Sequence, residues 1–168
     1  AFSAKTKAII VNTPNNPSGK VFTHTELQQI ATLCQEFDTL CITDEIYEHI
    51  LYDHHEHVSI ATLPGMYERT ISGLSKTFSV TGWRLGYMIA PAHLSNALRK
   101  VHDFLTVGAP APLQEAAAIA IEQADSYYPE LRAMYGHKRG LLLNALREAG
   151  FHCHQPQGAY YIMADFSD

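Results

Sequence analysis

The chain has 168 residues and a formal net charge of −5, from 12 Lys plus Arg against 17 Asp plus Glu. This length suggests about one domain with a substantial core, and 46% hydrophobic against 17% charged residues excludes a disordered or fibrous chain. The acidic balance argues against broad electrostatic binding to nucleic acid or an anionic membrane, while a local anion site stays compatible with it.

The cysteines, Cys34, Cys41 and Cys153, lie within apolar runs and form no CxxC pair, so free thiols in a reducing compartment are expected. No apolar stretch reaches the length of a membrane span, and the first residues lack the layout of a signal peptide. A cytoplasmic location is therefore expected. The chain begins without Met almost directly at a strand, which predicts a fragment of a longer protein.

The first half of the chain combines short apolar strands with an amphipathic helix. Strands are predicted over 7–12, 40–45, 69–75 and 86–90. The turn-rich stretch 12–19 follows the first of them. Thr23 and Glu26 have the spacing of a capping box, and apolar residues then recur at helical spacing. Apolar strands that alternate with helices predict an α/β fold with a mostly parallel sheet and helices on both faces.

The second half is predicted to be mainly helical. A helix after the fourth strand carries an apolar stripe that is expected to face the core: Leu94, Ala97, Leu98, Val101, Phe104 and Leu105. A buried helix is predicted over 109–124 and a long helix over 130–149. Two β-segments then begin a new layer. We therefore predict a large domain over 1–124 and the start of a small α+β domain over 125–168.

Polar residues follow each of the first three predicted strands. Asn16 lies in the loop after the first strand, Asp44 at the end of the second, and Lys76 after the third. Because ligands of open parallel α/β sheets bind beyond the carboxyl ends of the strands, these residues are expected in one crevice. Taken singly, Asp44 is typical of a helix cap and Lys76 of a solvated lysine.

Together with Tyr47 and Arg84, these residues supply what pyridoxal phosphate requires. A lysine that is partly deprotonated forms an imine with an aldehyde. A fixed carboxylate keeps a pyridine nitrogen protonated and so strengthens the ring as an electron sink. Tyr47 and Asn16 can donate to a ring phenolate, and Arg84 has the planar fork that matches a phosphate. The set predicts a pyridoxal-phosphate site.

Three segments carry a resemblance to a known family: NTPNNPSG (12–19), ITDEIYEHILYD (42–53) and SGLSKTFSVTGWRLGY (72–87). In this order they resemble the signatures of class I/II aminotransferases of fold type I. GMYERT and TFSVTGW are most similar to the kynurenine, glutamine and methionine aminotransferase branch. The resemblance runs from about residue 5 to the end of the chain and implies the large, cofactor-binding domain of that fold, followed by the start of a small domain.

The resemblance also implies a role for each candidate residue. Lys76 would carry the cofactor and move a proton during catalysis, and Asp44 would pair with the pyridine nitrogen. Tyr47 and Asn16 would contact the 3-oxygen, and Arg84 would bind the phosphate. Lys76, Asp44 and Tyr47 are thus the predicted catalytic residues.

One position departs from the family pattern. Gly73 stands where many relatives have a hydroxyl residue that binds the phosphate. Ser72 and Ser75 are the nearby alternatives, and Ser75 is included among the predicted cofactor ligands. The glycine-containing phosphate loop, the stacking ring and the arginine for the substrate carboxylate are expected outside this chain.

The implied function is transfer of an amino group from an amino acid, aromatic or sulfur-containing, to a 2-oxo acid by a ping-pong mechanism, in a homodimer of the full-length enzyme. A carbon–sulfur lyase or a ring-forming synthase would use the same cofactor-binding set, because that set does not choose the reaction. A non-catalytic truncated module is a further alternative.

Two histidine-rich segments, DHHEH (53–57) and HCH (152–154), resemble clusters of metal ligands. A zinc site needs a defined tetrahedral ligand set with supporting hydrogen bonds, which neither segment defines alone. A polar loop and a strand with incidental histidines are the favoured interpretation, and no metal site is predicted.

Overall fold

The computed structural model describes residues 2–74 and 76–167, and within them four strands form one sheet in chain order. The strands are β1 (Ala8–Asn12), β2 (Leu40–Asp44), β3 (Thr70–Leu74) and β4 (Tyr87–Ile89). β1, β2 and β3 are parallel, which confirms a mostly parallel sheet, whereas β4 runs antiparallel to β3. A mostly parallel sheet allows this antiparallel strand, and the described connection from β3 to β4 holds only a 3₁₀ turn and no crossover helix.

Helices and a small hairpin complete the described fold. The helices are α1 (His24–Glu36), α2 (Ala92–Leu105), α3 (Ala111–Glu122) and α4 (Tyr127–Glu148), and the hairpin pairs β5 (His152–Cys153) with β6 (Ala164–Asp165). The capping box is confirmed: the Glu26 backbone N–H donates to Thr23 Oγ1 at 3.2 Å, and the Thr23 N–H donates to the Glu26 carboxylate at 2.8 Å. None of the helices in the described chain combines the length and the apolar character needed to cross a membrane.

Helix α1 packs on one face of the sheet and builds the main core. Its members are Val11, Leu27, Ala31, Cys34, Cys41, Ile60, Leu63 and Met66. Because side chains alternate along a strand, Ile10 and Ile42 point to the opposite face, where they are 73% and 37% exposed. The cysteines are free thiols; Cys34 and Cys41 are buried and Cys153 is half-buried.

Helices α2 and α3 differ from their predicted burial. Ala97, Val101, Phe104 and Leu105 are exposed and only Leu94 and Leu98 are half-buried, so the stripe expected to face the core does not do so. No residue of α3 is buried, although a buried helix is predicted there. The helical period indicates which side of a helix is apolar, but burial requires a partner element, and the described chain covers these two helices only in part.

The segment after α4 returns to the loop that follows β1. The backbone N–H groups of Gln157 and Gly158 both donate to the Gly19 carbonyl at 2.9 Å, and Ala159 N–H donates to the Ile50 carbonyl at 2.9 Å. A Cβ added at Gly158 would lie 2.8 Å from the Pro14 Cβ, so only glycine fits this junction without a shift. The division between 1–124 and 125–168 stays a prediction.

Candidate active site

The carboxyl ends of the first three strands lie side by side. Asn12 is paired with Asp44 in the β1–β2 register, and Asp44 with Gly73 in the β2–β3 register. The loop that carries Asn16 begins directly after Asn12, and Lys76 follows the end of β3. The sheet therefore brings the segments of Asn16, Asp44 and Lys76 to one edge.

Asn12 connects two of these segments through its side chain. Its Nδ2 donates to the Asp44 carbonyl at 3.1 Å, while its Oδ1 accepts the Asn16 backbone N–H at 2.7 Å and the Asn15 side-chain amide at 3.1 Å. Asn12 was not among the residues predicted from the sequence. The sequence does contain a signal for this role: an amide residue at the end of an apolar strand, directly before a turn-rich loop, can satisfy backbone groups of both.

Asp44 is half-buried at the middle strand end. One of its carboxylate oxygens accepts the Ile46 N–H at 3.4 Å, and the side chain lines a cavity of about 700 Å³ together with Gly73, Met88 and His102. A Cβ at Gly73 would meet only the Thr43 carbonyl, at 3.7 Å, so the cavity wall is open there. Among the described residues, no basic side chain forms an ion pair with Asp44.

Lys76 and Arg84 lie in the connection between β3 and β4. Lys76 is half-buried with its Nζ 3.5 Å from Thr81 Oγ1, and Arg84 is exposed at a left-handed backbone position that ends the 3₁₀ turn Thr81–Trp83. Neither cation is paired with a carboxylate in the part of the chain that the structure describes. Both are therefore available to bind an anion such as a phosphate.

Tyr47 lies in an aromatic cluster. It is 1% exposed, its hydroxyl is 2.6 Å from that of Tyr161, and its ring meets that of Tyr160 edge-on at 5.0 Å. Burial, together with the hydrogen-bonding contacts of its hydroxyl with Tyr160 and Tyr161, raises the pKa of Tyr47, so the hydroxyl is protonated at neutral pH and can donate.

The cavity lined by Asp44 includes none of the other predicted residues Asn16, Tyr47, Lys76 and Arg84. They lie in the segments that follow β1, β2 and β3. Ser72, the alternative hydroxyl for a phosphate, is buried and donates to Glu45 at 3.1 Å, so its hydrogen-bonding role is structural. Ser75 lies outside the described residues.

These donors fit pyridoxal phosphate by their chemistry. The site edge offers an unpaired carboxylate for a protonated ring nitrogen, an amine for an aldehyde, and a guanidinium for a phosphate. Because the carboxylate and the two cations have no ion-pair partners among the described residues, none of them has to be released before the group binds.

Comparison with known proteins gives consistent matches over the whole chain. Residues 1–168 match the family model of aminotransferase class I and II. Kynurenine–oxoglutarate transaminase of Dictyostelium discoideum is 47% identical over 173 residues, which cover 99% of this chain and 40% of that protein. Kynurenine–oxoglutarate transaminase 3 of Mus musculus is 50% identical over 175 residues, covering 99% and 38% respectively.

The solved structure of N-succinyldiaminopimelate aminotransferase from Mycobacterium tuberculosis superposes with a TM-score of 0.95 at 38% identity, over 98% of this chain and 44% of that one. The chain spans about 40% of the length of the curated relatives that it matches. With the whole chain matched in both sequence and fold, this protein belongs to the class I and II aminotransferase family.

Proposed function

We propose that this chain is part of a pyridoxal-phosphate-dependent aminotransferase that moves an amino group from an amino acid to a 2-oxo acid by a ping-pong mechanism. One observation carries the proposal: Asp44 lies in register between the strand ends that lead to Asn16 and to Lys76. Family membership and relatives named as kynurenine–oxoglutarate transaminases support it.

In this proposal each side chain has a separate task. When bound, pyridoxal phosphate supplies an aldehyde for the amino group and a ring that accepts electrons from the substrate α-carbon. The Asp44 carboxylate would keep a proton on the ring nitrogen, and Asn16 and Tyr47 would donate to the 3-oxygen. Arg84 and Ser75 would bind the phosphate. Lys76 would hold the cofactor; once the substrate amine displaces it, the Lys76 amine would move the proton between the substrate α-carbon and the cofactor as general base and then general acid.

An aromatic or sulfur-containing amino acid is the proposed donor, because the relatives include kynurenine transaminases and a structure described as having methionine aminotransferase function. A cytoplasmic homodimer is proposed for the longer protein. Transfer of nitrogen to an added 2-oxo acid in that protein would support a transaminase. Release of ammonia and a 2-oxo acid without an acceptor would favour the carbon–sulfur lyase instead.

The cofactor site is tested by reductive labelling. The purified chain is incubated with pyridoxal phosphate and reduced with borohydride, and the modified peptide is identified by mass spectrometry. One adduct on Lys76, absent in Lys76→Ala and retained in Lys100→Ala, is the expected result, since Lys100 is an exposed lysine of α2. Scattered labelling that Lys76→Ala leaves unchanged would contradict a site preformed in this chain.

A further inference from the structure

A buried carboxylate lies directly beside the candidate active site and has no part in the proposed chemistry. Glu45, the residue after Asp44, is 2% exposed. Its carboxylate accepts the Ser59 hydroxyl at 3.0 Å and the Ser72 hydroxyl at 3.1 Å. Two hydroxyl donors that converge on a buried carboxylate stabilise its charged form.

His57 faces this carboxylate without a hydrogen-bond partner. Its side chain is 9% exposed, and its Nε2 lies 3.4 Å from Glu45 Oε2. Within the described residues, neither ring nitrogen makes a hydrogen bond of acceptable geometry. A buried polar atom left in this state is unfavourable, and it calls for a ligand at that position.

Glu48 brings a second carboxylate to the same place. One ligand atom each from Glu45, Glu48 and His57 lies within 4.8 Å of the others. Two carboxylates and one imidazole carry a net negative charge in either protonation state of His57, and like charges in a shared buried site repel. The Glu48 side chain is 21% exposed, with His49 Nε2 at 3.3 Å as its ion-pair partner, so the site has a route to solvent.

We propose that Glu45, Glu48 and His57 bind a divalent transition-metal cation, with Zn²⁺ as the best match. Ligands about 2.1 Å from zinc lie about 3.4 Å apart in a tetrahedron. The distance of 3.4 Å between His57 Nε2 and Glu45 Oε2 already equals such an edge. Rotation of the partly exposed Glu48 side chain closes the third position, and water fills the fourth. The mixed nitrogen and oxygen ligands favour Zn²⁺ over Mg²⁺ or Ca²⁺.

The site would brace the strand ends and takes no part in the reaction. Glu45, directly after β2, is linked to β3 twice: its N–H donates to the Gly73 carbonyl at 3.1 Å, and its carboxylate accepts the Ser72 hydroxyl at 3.1 Å. A cation held by Glu45 would therefore connect to both strands. His57 belongs to the histidine-rich segment 53–57, from which a metal site was not predicted. Its two partners come from the segment 42–53, so neither motif alone contains the ligand set.

The test uses the full chain after removal of metal with a chelator. Zn²⁺ is titrated by calorimetry, and the thermal midpoint and the visible spectrum with Co²⁺ are recorded. We expect the chain to bind one equivalent of Zn²⁺ tightly and its thermal unfolding midpoint to rise by several degrees when Zn²⁺ is added. Glu48→Gln and His57→Gln should lose both the binding and the rise in the midpoint. His54→Gln and His154→Gln are matched controls that should retain binding, because those exposed histidines lie outside the cluster.

Three results would overturn the proposal: no stoichiometric Zn²⁺ on the wild-type chain, unchanged binding in Glu48→Gln, or binding lost in His154→Gln instead. The last result would assign the metal to the HCH segment. Glu48→Gln tests the site even if a change at His57 unfolds the chain, because Glu48 is partly exposed and its substitution disturbs the fold less. Circular dichroism of each variant verifies that loss of binding is not loss of fold.

Discussion

The helices on the two sides of the sheet differ in how far their apolar residues are buried. On one side α1 buries Leu27, Ala31 and Cys34 against β1 and β2. On the other side α2 has the stronger apolar stripe by sequence, yet Phe104 is 94% and Leu105 is 74% exposed. An apolar stripe identifies the side of a helix that can be buried, whereas the tertiary structure determines whether another element covers that side.

The exposed apolar surface extends beyond α2. Met88 of β4 is 54% exposed and lines a cavity together with Leu98 and His102 of α2. Tyr87 and Ile89 of the same strand are 42% and 50% exposed, but they point to the other face because side chains alternate along a strand. Exposed apolar surface of this kind is typical of a region that contacts other protein. The packed side should therefore respond to mutation through folding stability, and the exposed side through association.

Leucine-to-alanine substitutions in α1 and α2 should differ most in their effect on stability. Leu27→Ala should lower the free energy of unfolding by about 2–5 kcal/mol, because Leu27 is fully buried and its removal leaves a cavity. Leu105→Ala should change it by less than about 0.5 kcal/mol. Urea denaturation of both variants checks this. If both variants lost the same free energy of unfolding, α2 would have to be covered by another molecule in solution. In that case the unfolding midpoint would depend on protein concentration.

A pair of glycines compares a packed junction with an open helix surface. Gly158→Ala should destabilise by about 1–3 kcal/mol, because the added Cβ would lie 2.8 Å from Pro14 and 3.0 Å from the Ile50 carbonyl. Gly140→Ala should stabilise by about 0.5–1 kcal/mol, since nothing lies within 4 Å of its Cβ in the middle of α4. Thermal unfolding of the two variants shows whether each substitution lowers or raises stability. A neutral Gly158→Ala would mean that the segment after α4 moves away at little cost.

Association provides a test of the exposed side alone. Phe104→Lys should reduce concentration-dependent self-association, measured by light scattering, while leaving the unfolding midpoint nearly unchanged. Asn96→Lys is the matched control on the same helix, where it adds the same charge at an exposed polar position. If the two variants scattered light equally, added charge and not the apolar surface would explain the change.

The smallest effect concerns the cap of α1. The hydrogen bond from Lys20, with those from Thr23, lowers the pKa of Glu26 to about 2. A lowered folded-state pKa contributes stability that is present above the ordinary value of 4.5 and is lost as the pH falls from there toward 2. Acid titration of helicity should show this loss in the wild type and a flatter curve in Glu26→Gln. Identical curves would contradict a folded-state role for the cap.

Local signals in the sequence were sufficient for part of this structure. The capping box, the strand positions and the polar residues after the strands each depend on neighbouring residues, and they were predictable for that reason. The exposure of α2 depends on which elements from elsewhere in the chain cover it. The direction of β4 follows from its connection to β3, which holds a 3₁₀ turn and no crossover helix, and the apolar run of a strand carries no signal for its direction. The roles of Asn12 and His57 were not predicted. Asn12 contacts Asp44 and His57 contacts Glu45, and both contacts join residues that are separated along the chain.

The loop that carries Asn16 is fixed at both of its ends. Asn12 holds the backbone of Asn16 at the beginning, and Gln157 and Gly158 hold the carbonyl of Gly19 at the other end. A segment restrained in this way has already lost most of its conformational freedom during folding. A ligand that contacts Asn16 would therefore bind a preorganised surface, with little further loss of entropy from the loop.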